Sequence, residues 1–171
     1  MNYIILNELQ LKTFTKQDAE DYCQLNSINP DNITVLNLSG NELTDISGIM
    51  LFKNLKHLYI AENKLENIFI LKYLNNLEIL GLYNNLITDI LILKHLYNLK
   101  ELVISNNQIK DISVLKDLNN LEYLSITNLE LESDQIKYIN SLKNLKELWC
   151  RNGFKDISVL DKLNGNIKII K

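Results

Sequence analysis

The sequence predicts an α/β solenoid, a coil of short parallel strands stacked over one apolar core, and two observations carry that prediction. The first is self-similarity. Residues 77–98, L-E-I-L-G-L-Y-N-N-L-I-T-D-I-L-I-L-K-H-L-Y-N, are followed by residues 99–120, L-K-E-L-V-I-S-N-N-Q-I-K-D-I-S-V-L-K-D-L-N-N, and the apolar positions of the two match. A fixed period of 20 to 29 residues is the written form of a solenoid. The second is the alternation L-x-x-L-x-L at the head of each unit, which is the period of two of a strand with one buried face.

The template extends outward in columns with a step of 22 residues. The first column is Ile33, Leu55, Leu77, Leu99, Leu121 and Leu145; the second is Leu36, Leu58, Leu80, Leu102, Leu124 and Leu148; the third is Leu38, Ile60, Leu82, Ile104, Ile126 and Cys150. Six repeats result, and the step lengthens to 24 after Leu121. One asparagine column, Asn41, Asn63, Asn85 and Asn107, follows the strands, and a second, Asn54, Asn76, Asn98, Asn120, Asn144 and Asn166, closes the repeats. The first is expected to turn inward and satisfy backbone groups of adjacent coils, since an amide carries both donors and an acceptor. Leu129 and Gly153 end that ladder before repeat five.

Residues 1–32 lie outside the period and are expected to form an N-terminal cap, leaving residues 33–171 as the solenoid of six repeats plus a terminal strand, one structural domain in all. The cap begins with apolar alternation at Ile4, Leu6, Leu9 and Leu11. Thr15-x-x-Asp18 then has the form of a capping box opening a helix, with Ala19, Tyr22 and Cys23 on one face; Pro30 ends the cap. A terminal coil has a neighbour on one side only, so it needs such a cover. In the second half of each repeat the apolar residues recur every third position, as in Ile112, Leu115, Leu118 and Leu121. That step holds one face of a 3₁₀ turn and drifts around an α-helix, so the outer side is predicted to be mainly 3₁₀ or extended. Repeat five departs from this. Ser133 as an N-cap and the segment through Ile139 predict an α-helical turn or two. The final run, Ile167 to Lys171, reads as a strand with no cap after it, where Lys168 and Lys171 discourage edge pairing.

Composition narrows the function classes. At 171 residues with 46% apolar and 23% charged residues, the chain has the profile of one globular domain. A net charge of −3 and a pI near 5.4 supply no basic footprint for nucleic acid. The N-terminus lacks a basic n-region, and no apolar run reaches the roughly 18 residues of a membrane span, so neither export nor membrane insertion is expected and a cytoplasmic location is. Cys23 and Cys150 are expected as buried free thiols rather than a disulfide framework.

The columns L-x-x-L-x-L-x-x-N-x-I/L-x-D-I-S-x-L-x-x-L-x-N, with Asp45-Ile46-Ser47, Asp111-Ile112-Ser113 and Asp156-Ile157-Ser158 in place, resemble the leucine-rich repeats of internalins and of the regulatory subunit of protein phosphatase 1. The resemblance covers about residues 15–170. It implies a leucine-rich-repeat solenoid with a curved parallel sheet on the concave face, a helical N-terminal cap, and a protein partner bound on that face. A phosphatase-regulating role is its narrower implication.

Strand residues between the core columns are expected to face the concave side. Thr34, Lys56, Glu78, Lys100, Glu122 and Lys146 form a column that alternates in sign from Lys56 to Lys146, which supports strand register. The candidate partner-binding residues are His57, Tyr59, Tyr83, Glu101, Val103, Tyr123, Trp149 and Arg151, because aromatics and arginine exposed on a rigid face are the material of binding hot spots. Glu101, Glu122 and Glu147 are expected to join Lys100, Lys146 and Arg151 in an ion-pair lattice. A second patch is expected on the outer side, where the serine of D-I-S becomes Phe69 and Leu91, with Leu51, Tyr73 and Tyr97 nearby.

Catalysis is not expected. The histidines, His57 and His95, are on opposite sides, no His/Cys spacing fits a metal, and no glycine-rich phosphate loop is present. The reading is therefore a non-catalytic protein-interaction module without cofactor or metal. The alternative is an assembly protein that self-associates, as a homodimer, through the outer patch or the C-terminal end.

Overall fold

Alternating residues around each repeat's central leucine produce very short strands. The computed structural model describes residues 2–163, 165 and 167–171. Its strands are β1 (Tyr3–Ile5), β2 (Val35–Asn37), β3 (His57–Tyr59), β4 (Ile79–Gly81), β5 (Glu101–Val103), β6 (Tyr123–Ser125), β7 (Glu147–Trp149) and β8 (Lys168–Ile170). They form one eight-stranded parallel sheet in sequence order. The central leucines face one another in register, Leu36 to Leu58 to Leu80 to Leu102 to Leu124 to Leu148, and each is fully buried.

The segment expected as a helical cap also contributes a strand. Ile4 pairs with Leu36, and beyond β1 the chain stays on the first coil, with Leu6 N–H donating to Asn37 O (2.7 Å) and Phe14 N–H to Asp45 O (2.8 Å). Helix α1 (Lys16–Leu25) then covers the outer side. Its capping box is complete: Asp18 N–H donates to Thr15 Oγ1, and Thr15 N–H to the Asp18 carboxylate at 2.7 Å. Ala19 and Cys23 point into the core. Gly48 allows the close approach of cap and coil, since a Cβ there would lie 2.4 Å from the Thr15 carbonyl oxygen.

The outer side is built of 3₁₀ turns, Ser47–Leu51, Phe69–Tyr73, Leu91–His95, Ser113–Asp117 and Ile157–Lys162. The D-I-S motif explains their starts. Asp45, Asn67, Asp89 and Asp111 each accept the backbone N–H two residues on, at 2.7 Å, and Asp156 does so at 2.9 Å. This closes an Asx-turn that aims the chain into the 3₁₀ turn. Repeat five contains the expected α-helical turn as α2 (Ile136–Asn140). Ser133 does not cap it: that serine is the first residue of a 3₁₀ turn, Ser133–Gln135, that runs straight into α2, so its hydroxyl sits inside the turn rather than ahead of it.

Two amide ladders hold the coils together. Asn85 accepts the Leu65 N–H (3.0 Å) and donates to the carbonyls of Ile60 (3.0 Å) and Leu82 (3.1 Å). Asn63 and Asn107 repeat this geometry, so the carbonyls of Ile60 and Leu82 are each shared by two asparagines. Asn41 binds the cap instead, accepting from Leu9 N–H and Leu11 N–H. At the strand entrance Asn54, Asn76, Asn98, Asn120 and Asn144 each donate to a carbonyl of the preceding coil; Asn166 lies outside the described residues. Just before the inner ladder runs a column of left-handed backbone, Gly40, Glu62, Asn84, Asn106, Asn128 and Asn152, with φ from 50° to 69°.

Candidate functional site

Strands in a sheet stand about 4.8 Å apart, closer than the helical turns on the opposite side pack, so the strand side is the inner, concave one. Two rows cross it in register. One is Val35, His57, Ile79, Glu101, Tyr123, Glu147 and Lys168; the other is Asn37, Tyr59, Gly81, Val103, Ser125, Trp149 and Ile170. His57, Tyr59, Glu101, Val103, Tyr123 and Trp149 therefore share one surface, and Tyr83 and Arg151 follow β4 and β7 by two residues on the same side. Tyr123 and Trp149 form a tilted pair with ring centroids 6.4 Å apart. Tyr59 leans over Gly81: a Cβ built there would meet its ring at 3.4 Å. β1 adds Tyr3 and Ile5, about half exposed, which sequence reasoning missed as part of the face. The signal was the Tyr3/Ile5 alternation against Ile4 and Leu6.

Three positions assigned to the open face are buried: Gly81, Ser105 and Ser125. Gly81 and Ser125 are the shortest side chains of their row and sink below taller neighbours. The two serine hydroxyls close on each other at 2.6 Å, and Ser105 Oγ accepts the Thr127 N–H. The floor between the aromatics is accordingly low and internally satisfied.

The charged column pairs as the alternation predicts over part of its length. Glu78 holds Lys100 at 2.7 Å and Lys56 at 3.1 Å, and Glu122 holds Lys146. Hydrogen bonds from Lys100 and Lys56 pull the Glu78 carboxyl down to about 2. Glu147 bonds Lys168 at 2.9 Å and accepts the Trp149 indole N–H, and both hydrogen bonds lower its pKa. The expected lattice does not include Glu101 or Arg151, for which no ion pair occurs among the described residues. The two lysines of the expected lattice are engaged elsewhere, Lys100 on Glu78 and Lys146 on Glu122. Burial, and then the charge of Glu101, pushes the Tyr59 phenol up; burial with Glu147 and Glu101 does the same to Tyr123.

A model of leucine-rich repeats matches the chain over residues 31–68 and 97–137. An internalin (inlF) of Listeria monocytogenes shares 32% identity over 81% of this chain and 41% of its own, with a TM-score of 0.74. A leucine-rich-repeat protein of Leptospira interrogans is 26% identical over 100% of this chain and 49% of its own, with a TM-score of 0.76. The chain is a leucine-rich-repeat protein. It spans less than half the length of either of those two structures. A plant peptide hormone receptor, RGFR1, solved in complex with RGF2, has the same fold at 20% identity, covering 99% of this chain and 32% of its own, with a TM-score of 0.64. Among curated protein sequences none matches. Leucine-rich-repeat proteins generally mediate protein–protein interaction.

The outer side of this leucine-rich-repeat protein carries a second apolar surface. Phe69, Tyr73, Leu91 and Tyr97 are each more than half exposed. Leu51 is not among them, because it is partly buried and packs on the core at the end of its 3₁₀ turn. Phe69, Leu91 and Ile92 line a cleft of about 720 Å³ rimmed by Glu66, Asp89, Lys72 and Lys94. Lys72 lies over the Phe69 ring, with Nζ 3.8 Å from its centroid. Cys23 and Cys150 are buried and unpaired, and burial raises both thiols. Among the described residues no group of three or more His, Cys, Asp or Glu is arranged to hold a metal, and no helix is long and apolar enough to cross a membrane.

Proposed function

We propose that this leucine-rich-repeat protein is a non-catalytic module that binds a protein partner on its concave face, through His57, Tyr59, Tyr83, Glu101, Val103, Tyr123, Trp149 and Arg151. The observation that carries the reading is the aromatic surface itself. Tyr59, Tyr123 and Trp149 stand on strands, and Tyr83 just past one, whose spacing is fixed by two amide ladders, so a partner meets preorganised rings and little ordering entropy opposes the contact. The complex of the plant receptor with its peptide hormone supports the same use of the fold. The unpaired thiols further support a reducing, cytoplasmic setting, which fractionation of source cells checks.

The test is affinity capture from a lysate of the source cell with three proteins: the unmutated chain, the face variant Tyr59→Ala/Tyr83→Ala/Trp149→Ala, and the outer variant Phe69→Ala/Leu91→Ala. A partner retained by the first and third and lost from the second is the expected result. Equal capture by the face variant overturns the concave assignment.

A further inference from the structure

Four carboxylates stand on or immediately before the concave strands, and three are occupied. Glu78 is bridged by Lys56 and Lys100, Glu122 by Lys146, and Glu147 by Lys168 together with the Trp149 indole. Glu101 has no cation within ion-pair distance among the described residues, although it is exposed at the centre of the sheet. Its cross-strand neighbours are Ile79 on β4 and Tyr123 on β6. Gly81 leaves β4 without a side chain in the adjoining row, and the Tyr59 ring occupies that space. The Glu101 carboxylate thus lies one strand from Tyr123 and two from Tyr59, between tyrosines whose strands are three spacings apart, roughly 14 Å.

We infer that the partner presents a lysine or arginine side chain to this position, seated between the Tyr59 and Tyr123 rings with its charged head on the Glu101 carboxylate. The inference rests on the concave-face reading and adds the chemistry of the ligand. Aromatic faces attract a cation through their quadrupole, arginine above all, and a carboxylate gives it charge-assisted hydrogen bonds. An acidic or purely apolar segment fits worse, since it would leave Glu101 desolvated without a counter-charge. Burial is the main cause of the raised phenols of Tyr59 and Tyr123, and the charge of Glu101 adds to both.

A displayed library of random dodecapeptides, panned against the folded chain, tests this with defined probes. Enriched peptides are synthesised with their basic residue intact and with arginine replaced by citrulline or lysine by acetyl-lysine. Binding is followed by the emission of Trp149, the single tryptophan, to the unmutated chain, Glu101→Gln and the Tyr59→Ala/Tyr83→Ala/Trp149→Ala variant, the last by calorimetry. Expected is a shared basic residue whose neutralisation weakens binding roughly 10- to 100-fold, the same loss in Glu101→Gln, and no further loss when both changes are combined. Thermal unfolding of Glu101→Gln matching the unmutated chain excludes a folding defect. Peptides that lack a basic residue, an additive loss in the combined case, or no enrichment over Glu101→Gln overturns the proposal. The wider reading fails separately, if enriched peptides bind the triple-alanine variant as tightly as the unmutated chain.

Discussion

Asparagine 85 is the place where the stacking of coils is most sharply tested. It is 5% exposed, and its side chain closes bonds to Leu65 N–H and to the carbonyls of Ile60 and Leu82. Replacing it by alanine orphans the Leu65 N–H, at about 1–3 kcal/mol for a buried donor, and removes two further bonds worth about 1 kcal/mol each net. The two carbonyls keep a second partner each, Asn63 for Ile60 and Asn107 for Leu82. The expected loss for Asn85→Ala is about 3–5 kcal/mol, read from the urea midpoint followed by circular dichroism. Asn107→Ala should cost about 1 kcal/mol more, because Ile104 O accepts from Asn107 at 3.0 Å and position 129 offers leucine rather than the next amide. Asn85→Asp keeps the shape but turns an oxygen toward two carbonyls; its folded pKa rises above the unfolded value. Its penalty is therefore smallest below the unfolded pKa and grows as pH rises through the folded one. An Asn85→Ala midpoint within about 0.5 kcal/mol of the unmutated chain, the range of neutral surface changes, would refute the ladder as a source of stability.

Three further perturbations follow from particular positions. Glu62 holds φ at 55° where its column otherwise carries Gly or Asn, so Glu62→Asn is expected to gain about 0.5–1 kcal/mol and raise the melting temperature by roughly 1–4 °C. Gly48→Ala drives a Cβ into the backbone carbonyls of Phe14 and Thr15; a loss of about 1–3 kcal/mol is expected, with amide exchange in residues 14–25 accelerating before the rest of the sheet. Glu78 has a folded pKa of about 2, below its ordinary 4.5. Its stabilising effect is present above the ordinary value and is lost as pH falls toward 2, so Glu78→Gln should flatten the acid limb of the melting-temperature profile between those values. An unchanged acid limb would remove the bridge from the account.

The repeat was legible because in-out alternation and a step of 22 act on every coil alike, and the asparagine ladder because an amide at that site has only one use. β1 escaped the template since it lies 32 residues before its partner, Ile4 against Leu36, so its step does not match the rest. The left-handed column was written in the doublets Gly40-Asn41, Asn84-Asn85 and Asn106-Asn107, yet Glu62 hides it where side-chain chemistry gives no cue. The concave residues followed from alternation. Their heights did not: whether Ser105 and Ser125 are reachable depends on neighbours one strand away, and Lys100 had Glu78 and Glu122 within equal sequence reach but bridges Glu78. Choices of that kind are settled by packing and rotamer rather than by column.

The sharing of each ladder carbonyl by two asparagines makes the boundaries between β3, β4 and β5 interchangeable. Excising residues 77–98 would bring Leu99 into the place of Leu77 and Asn107 into that of Asn85, with every backbone partner of the same kind still present. The number of coils is thus a free variable that the chemistry of the joints does not fix. A gene encoding this chain can gain or lose one unit and still specify a working stack, changing the width of the inner surface in increments of about 4.8 Å while leaving its edges and its depth as they were.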